Sequence, residues 1–383
     1  MPNLRAGFTS PGKVQCYWKN PAAARGFRTA VSLHSHTFHS CEYMDFIPRV
    51  LRRVPWVNRL RLWVERRHSQ RPDKSVRYGD AFWRPPLHPH AAFDLEAGQI
   101  REALGLAPLV SLTDHDDLEA CADLHMLSIG VPYSLEWSIP YGATMFHIGV
   151  HNLPAAQARE LAAGMARATA NPTPALVGEM FAELHALRNV LVVLNHPYSN
   201  EERVDLETHK RCLEEFLGLY RQRLHAIELN GLQPAADNRM CIQLAAELEM
   251  PAISGGDRHC REPNANLNLT NAASFDEFVE EIRVGRQSTV LFMPQYRDPI
   301  PARYAEFAWH LVQNYPEFVG RERFVDRVFF KREPDGVVVP LSSIWPDGGP
   351  RLVRCCLAGL EFVANPNVRG TWRRAMGESE IGA

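Results

Sequence analysis

Short apolar runs alternate with stretches of helical periodicity through the middle of the chain, a pattern of βα units rather than of a sandwich. Seven runs read as strands: Ala30 to Leu33, Leu109 to Leu112, Val131 to Leu135, Met145 to Val150, Val190 to Leu194, Ala226 to Leu229 and Pro251 to Ser254. Between them the spacing predicts helices over Leu95 to Leu104, Leu118 to Leu127, Ala155 to Ala168, Ala175 to Leu187, Leu206 to Tyr220 and Ala235 to Glu249. Ser274-Phe275-Asp276-Glu277 reads as a capping box that opens another helix, and a further strand-like run covers Ser288 to Phe292. From Arg297 onward the alternation gives way to amphipathic helices, Ala302 to Gln313 and Arg321 to Phe330. The expected organisation is an N-terminal extension (1–29), an α/β unit (30–292) and a mainly helical C-terminal extension (293–383).

Composition adds limits. The chain has 383 residues, 45% hydrophobic and 22% charged, which suits a globular core and excludes collagen, coiled coil and wholesale disorder. Lys and Arg (42) balance Asp and Glu (44), so the molecule as a whole offers nucleic acid no polycation. Any such binding has to be local. Residues 49–84 carry eleven Lys or Arg against three acids, a local charge of +8, with Trp56, Trp63 and Trp83 among them. This basic insertion, about 46–94, follows the first strand of the α/β unit. Three readings stay open for it: a solvated helical face with Trp anchors, a lid recruiting an anionic substrate, or a membrane or nucleic-acid surface.

The eight cysteines form no C-x-x-C pair, and their scatter fits buried thiols in a reducing compartment. The N-terminus lacks an apolar leader segment, and no run of 18 apolar residues occurs, so a cytoplasmic protein without integral membrane association is expected.

The 16 histidines matter through where they fall. Leu33 is followed by His34-Ser35-His36, Leu112 by Thr113-Asp114-His115, Leu135 by Glu136, Leu194 by Asn195-His196-Pro197, and Ser254 by Gly255-Gly256-Asp257-Arg258-His259; His147 lies inside Met145 to Val150. In a barrel of parallel strands these ends open on one face, so residues far apart in sequence converge. Each piece alone has an ordinary structural reading. Glu136 says more, because a carboxylate in a buried strand needs a cation or a hydrogen-bond network. Pro197 is expected to hold His196 in extended backbone. His39 is close enough to reach the site, His151 shares a strand face with His147, and His125, His185, His209, His225 and His310 read as ordinary helix residues.

Six ordered segments, Ser32 to Thr37, Leu112 to Asp116, Glu136, Phe146 to Gly149, Asn195 to Pro197 and Ser254 to His259, resemble the motifs of the PHP (polymerase and histidinol phosphatase) domain over about residues 30 to 292. The resemblance implies a distorted (β/α)7 barrel with two to three divalent metal ions (Mn, Zn or Fe) at the ends of its strands. Carried over residue by residue, it gives the first ion His34, His36, Glu136 and Asp257. Glu136 bridges to a second ion that takes His115 and either Glu42 or Cys41, with Glu42 favoured as a hard oxygen ligand. His147, His196 and His259 take the third. The family's Asp that supports a ligand imidazole is Ser32 here, which is expected to loosen that ligand.

The activity implied is metal-dependent hydrolysis of a phosphate ester by water activated between the ions. Arg258 is expected to bind a phosphate oxygen, and Asp114 to orient His115 or transfer a proton. The substrate expected is a small phosphomonoester or nucleotide. An exonuclease-type phosphodiesterase on short oligonucleotides, with the basic insertion as strand clamp, is the second reading. A metal-dependent amidohydrolase and a catalytically idle module are the others. The third ion's set argues against the amidohydrolase.

Overall fold

The computed structural model describes residues 12–44, 81–200, 202–332 and 335–381. Of the basic segment 49–84, only 81–84 therefore falls within the described residues. The chain is a mixed α/β protein whose strands are β1 (Gly12–Cys16), β2 (Thr29–Ser32), β3 (Glu42–Tyr43), β4 (Phe82–Trp83), β5 (Ala107–Val110), β6 (Tyr133–Tyr141), β7 (Thr144–Leu153), β8 (Leu191–Asn195), β9 (Ala226–Asn230), β10 (Ala252–Gly255), β11 (Asn266–Thr270), β12 (Ser288–Phe292), β13 (Val328–Lys331) and β14 (Val338–Pro340).

These strands do not form the expected (β/α)7 barrel. They form two five-stranded sheets, β1-β12-β11-β2-β5 and β10-β9-β8-β7-β6, and a small sheet β14-β13-β4-β3, with no closed barrel among the described residues. One cause lies between the runs read at 131–135 and 145–150. A parallel crossover needs about a dozen residues, but here two long strands meet in a hairpin at Gly142 (φ 59°), Pro140 pairing with Met145 and Tyr141 with Thr144. β7 also runs antiparallel to β8, whereas β8, β9 and β10 are parallel. Two isolated bridges, Ser35 to Arg258 and His115 to Glu136, join the two large sheets at the strand ends that carry the candidate ligands.

β11 was not among the strands expected from the sequence; it pairs with β12 and β2, and its carboxamides add side-chain bonds to these ladders. Asn268 Oδ1 accepts from the Ser254 backbone N–H at 2.6 Å, and Asn268 Nδ2 donates to Ser288 Oγ at 2.8 Å. The first of these binds β11 to β10 across the junction of the two sheets, and the second ties it to β12.

The helix expected over Arg321 to Phe330 is a four-residue turn, Phe324–Arg327, that passes into β13. The β-favouring run Val328-Phe329-Phe330 pairs with β4 instead, and Phe330 packs with Ala81, Val325 and Leu341. At Ser274 the hydroxyl accepts from Glu277 N as expected, while the Glu277 carboxylate reaches Ala273 N rather than Ser274 N. No helix among the described residues is long and apolar enough to cross a membrane.

The largest core cluster lies under β6 to β9, around Trp137, Phe181, Phe216 and Tyr220. Trp137 is fully buried, and its indole Nε1 donates to Met165 O (3.1 Å) and Thr169 Oγ1 (3.0 Å). Trp137→Ala is therefore expected to cost about 3–5 kcal/mol of stability, read from the denaturant midpoint at unchanged slope. A loss below about 1 kcal/mol would show that this region is not the principal core.

Candidate metal centre

Glu136, in the middle of β6, is the hub. Its Oε2 lies 3.0 Å from His34 Nε2, 3.4 Å from His36 Nε2 and 3.4 Å from His115 Nδ1. Its Oε1 lies 3.2 Å from His196 Nε2 and 3.5 Å from His147 Nδ1, and accepts from Asn195 Nδ2 at 3.0 Å. Five imidazoles from four segments thus meet one buried carboxylate. The strands place them: His34 and His36 follow β2, His115 follows β5, His147 is on β7, and His196 follows β8.

Asp257 and Glu42 close the cluster. Asp257 Oδ1 stands 3.7 Å from His34 Nε2 and 3.5 Å from His36 Nε2. Glu42 spans the far side, with Oε2 3.4 Å from His115 Nε2 and Oε1 3.3 Å from His259 Nε2. It is thus Glu42 whose carboxylate turns to these imidazoles, while the Cys41 thiol lies beside Arg84, with burial as the main cause of its raised pKa.

Three groups are placed differently from expectation. The ligand atoms of His147, His196 and His259 do not form one of the compact sets found among the described residues. His259 gathers with His36, Glu42 and His115; His147 with His115 and Glu136; and His196 with His34 and Glu228, each set within 4.8 Å. The argument that this trio made against an amidohydrolase loses its footing. Arg258 does not present its guanidinium to the cluster: it is buried, with Nε on Glu96 Oε1 at 2.8 Å and Nη2 on Ala92 O at 3.3 Å. Asp114 does not bond His115; it accepts from Thr37 N at 2.5 Å and Thr37 Oγ1 at 2.6 Å, fixing the loop between His36 and Glu42. Burial raises Asp114 to about 6 despite these two bonds.

His196 and Asp257 also adopt φ values of 27° and 53°, left-handed backbone that side-chain-bearing residues seldom take. The extended conformation expected for His196 ahead of Pro197 is therefore overridden, and both candidate ligands sit on strained backbone of the kind found at functional sites. Elsewhere, His39 pairs with Asp123 (3.0 Å), His151 with Ser111 Oγ (2.9 Å), and His209 Nε2 with Pro197 O (2.9 Å), leaving each outside the cluster's contacts.

Glu228 on β9 is the participant that the sequence reading missed. It is buried, and its Oε2 lies 2.7 Å from His34 Nδ1, while Asn230 Nδ2 bridges Glu228 Oε1 (2.8 Å) and Asp257 Oδ2 (3.0 Å). The signal was available, since Glu228 interrupts the apolar run Ala226 to Leu229 just as Glu136 interrupts its own strand. Glu228 does for His34 what the expected Asp at position 32 was to do, so His34 is not loosened. Ser32 Oγ instead accepts from Asn264 Nδ2 at 3.0 Å. Glycine at 255 makes room for this, because a Cβ there would overlap the Glu228 carboxylate.

The protonation pattern calls for cations between these groups. Burial would raise the Glu136 carboxyl, but His34, His115 and His147 hold it well below the usual carboxylate range. Glu42 is held well below by His115 and His259, and Asp257 is lowered by His34 and its bond to His36, each against burial. Burial opposes charging of the imidazoles too, yet Glu136 raises His34 well above 6.5 and lifts His196 to about 9, while Glu42 raises His115 well above 6.5 and lifts His259 to about 9. His36 goes the other way, down to about 3, through burial and the neighbouring His259.

The hydrogen bonds fix which nitrogen of His36 is bare. Ser40 Oγ donates its only proton to Glu42 Oε1 (2.8 Å) and accepts from His115 N (3.2 Å), so His36 Nδ1 must donate to it (3.2 Å). The His36 Nε2 lone pair is then aimed at two carboxylate oxygens and lies 3.0 Å from His34 Nε2. In addition, His115 Nδ1 is buried without a hydrogen-bond partner. Lone pairs of imidazole and carboxylate converging in a buried space repel unless a proton or metal ion lies between them. The donor set of nitrogens and oxygens suits a divalent transition metal, so the residues fit the ions expected here.

Because Glu228 fixes the His34 tautomer and orientation, Glu228→Gln is expected to weaken metal binding about 10- to 100-fold. Competition titration with a chromophoric chelator measures this; unchanged affinity would remove Glu228 from the account.

No family model matches the sequence. No curated protein matches it either. Among solved structures, the chain is similar to PsfC from Pseudomonas syringae PB-5123, with a TM-score of 0.41 and 15% identity over 70% of this chain and 93% of that one. It is also similar to an amidohydrolase from Chromobacterium violaceum with bound sulfate and no metal (TM-score 0.31, 16% identity, 46% of this chain and 83% of that one). A third is a protein of Bifidobacterium adolescentis, proposed to be a metal-dependent phosphoesterase (TM-score 0.29, 14% identity, 50% of this chain and 89% of that one). At these scores the chemistry rests on this chain's own residues.

Proposed function

We propose that the chain is a metal-dependent hydrolase of phosphate esters of the PHP type, acting on a small phosphomonoester or nucleotide. The observation that carries the metal reading is the sharing of one buried carboxylate, Glu136, by five imidazoles. The preference for phosphorus rests on the order of the six sequence motifs. Two or three divalent ions (Mn, Zn or Fe) would supply charge neutralisation at the phosphoryl oxygens and an acidified water.

His34, His36, Glu136 and Asp257 would hold one ion; His115 and Glu42, also with Glu136, a second; His147, His196 and His259 remain the family's candidates for a third. Glu228 keeps His34 in the tautomer that leaves Nε2 free to ligate, and Ser40 does the same for His36. Asp114 anchors Thr37 and with it the loop between two ligands, a positioning role. Trp83 and Phe307 flank His259, with ring centroids 5.7 and 5.6 Å away, and give one edge of the centre an aromatic wall for the rest of the substrate.

The test is a screen of purified chain, reconstituted separately with Mn, Zn and Fe, against phosphomonoesters, short oligonucleotides and amide or lactone substrates. Phosphomonoester turnover that needs added metal is the expected result. Oligonucleotide cleavage with steep salt dependence would favour the exonuclease reading, because polyanion binding releases counterions. Turnover confined to C–N bonds would replace the proposal with an amidohydrolase, and no metal uptake would leave an idle module.

A further inference from the structure

Other buried or half-buried guanidinium groups among the described residues are well supplied with acceptors. Arg327 donates to the carbonyls of Arg321, Glu322, Leu311 and Gln313, and Arg283 to those of His185, Leu187, Arg188 and Val190. Arg258 pairs with Glu96. Two half-buried ones differ. The Arg84 guanidinium reaches Phe38 O at 3.4 Å and lies beside the Cys41 thiol. The polar neighbour of Arg321 is His88, whose ring nitrogens are 3.2 and 3.4 Å from Nη2. Neither Arg pairs with a carboxylate among the described residues. The acids nearby are engaged, Asp123 by His39 (3.0 Å) and Asp117 by the Glu119 backbone N–H (2.6 Å).

Both cations press on the same residue. Arg321 Cζ lies 3.8 Å from the centroid of the Phe38 ring, whose carbonyl Arg84 contacts. Burial and the adjacent Arg84 charge lower the Arg321 pKa. Two like charges held half-buried against one residue, with donors to spare, are costly unless an anion joins them.

We propose that Arg84 and Arg321 form an oxyanion subsite behind the loop that joins His36 to Glu42, taking a phosphate or carboxylate group. Strand alternation sets the side it faces. Glu42 pairs with Trp83 in register and both turn toward His259, so Arg84, one residue on, points the other way, over the Phe82 and Phe329 rings (5.9 Å each). The anion is then either a second anionic group of a substrate that reaches round the loop or a free anion that acts on the loop from behind. Arg donors in a fork suit either.

Calorimetric titration of the metal-free chain with inorganic phosphate tests the subsite without relying on the hydrolase reading. Arg84→Gln and Arg321→Gln are each expected to weaken phosphate binding at least about tenfold. Unchanged circular dichroism and melting temperature show that the variants fold; if one does not, Arg321→Lys, which keeps the charge but loses the fork, gives an intermediate loss. Phosphate binding that survives the double substitution, or none by the parent chain, overturns the proposal. The kinetic arms rest on the hydrolase reading and separate the two sources. For a substrate group, the ratio of kcat/KM between bisphosphorylated and monophosphorylated substrates falls in Arg321→Gln. For a free anion, added phosphate changes turnover more in the parent than in Arg321→Gln. Binding with neither effect marks an adventitious ion only and also overturns the proposal. Absence of all turnover defeats the hydrolase reading while the titration still decides the subsite.

Discussion

Glu136→Gln is expected to lower phosphoester turnover by more than about a hundredfold, beyond the 10- to 100-fold typical of a partner that only orients a ligand. The amide keeps the size and one acceptor oxygen of the carboxylate, so the fold should hold and the melting temperature of the metal-free protein is the control. What it removes is the negative charge that faces His34, His36 and His115 on one oxygen and His147 and His196 on the other. An amide cannot bridge two cations as a carboxylate does, so bound metal should also fall, read by elemental analysis after gel filtration. Near-normal turnover with full metal content would refute the assignment of Glu136.

The second large effect is on pH. Without metal, His196 and His259, raised to about 9, carry protons at neutral pH. A ligating nitrogen must be bare, so an ion bound by either has to displace its proton, and affinity rises with pH until about 9. With one such proton displaced, the apparent affinity of an ion gains up to about tenfold per pH unit between pH 6 and 8. Stability of the metal-free chain should move the opposite way. A histidine raised in the folded state stabilises fully below its unfolded value of 6.5, and that contribution is lost as pH climbs through about 9. Melting temperatures with and without metal should therefore diverge as pH rises. Parallel curves, with pH-independent metal affinity, would show that these imidazoles are not ligands.

How much of this was legible in the sequence depended on the kind of signal. The ligand-bearing segments were readable because each places a polar group directly after an apolar run, where burial without a partner is costly. Glu136 stood out for that reason. Glu228 carries the same signal but sits inside a run already read as core, so it passed as part of a strand. β11 was hidden because asparagine is depleted in strands, and its asparagines are accommodated by side-chain bonds that a propensity scale does not anticipate. The expected barrel failed at the tight turn at Gly142, where strand periodicity on both sides says nothing about direction. Arg258 sits between two candidate ligands in sequence, yet its side chain turns away from them to Glu96 on the helix Pro89–Leu104. Position along the chain was informative about strand ends and poor about which way a neighbouring side chain points.

The most direct test is anomalous diffraction from crystals of the chain grown with manganese or zinc. Two peaks are predicted next to Glu136, one among His34, His36 and Asp257 and one beside His115 and Glu42, each at about 2.0–2.3 Å from its ligand atoms. Fully loaded crystals with no anomalous peak within reach of Glu136 would contradict the account.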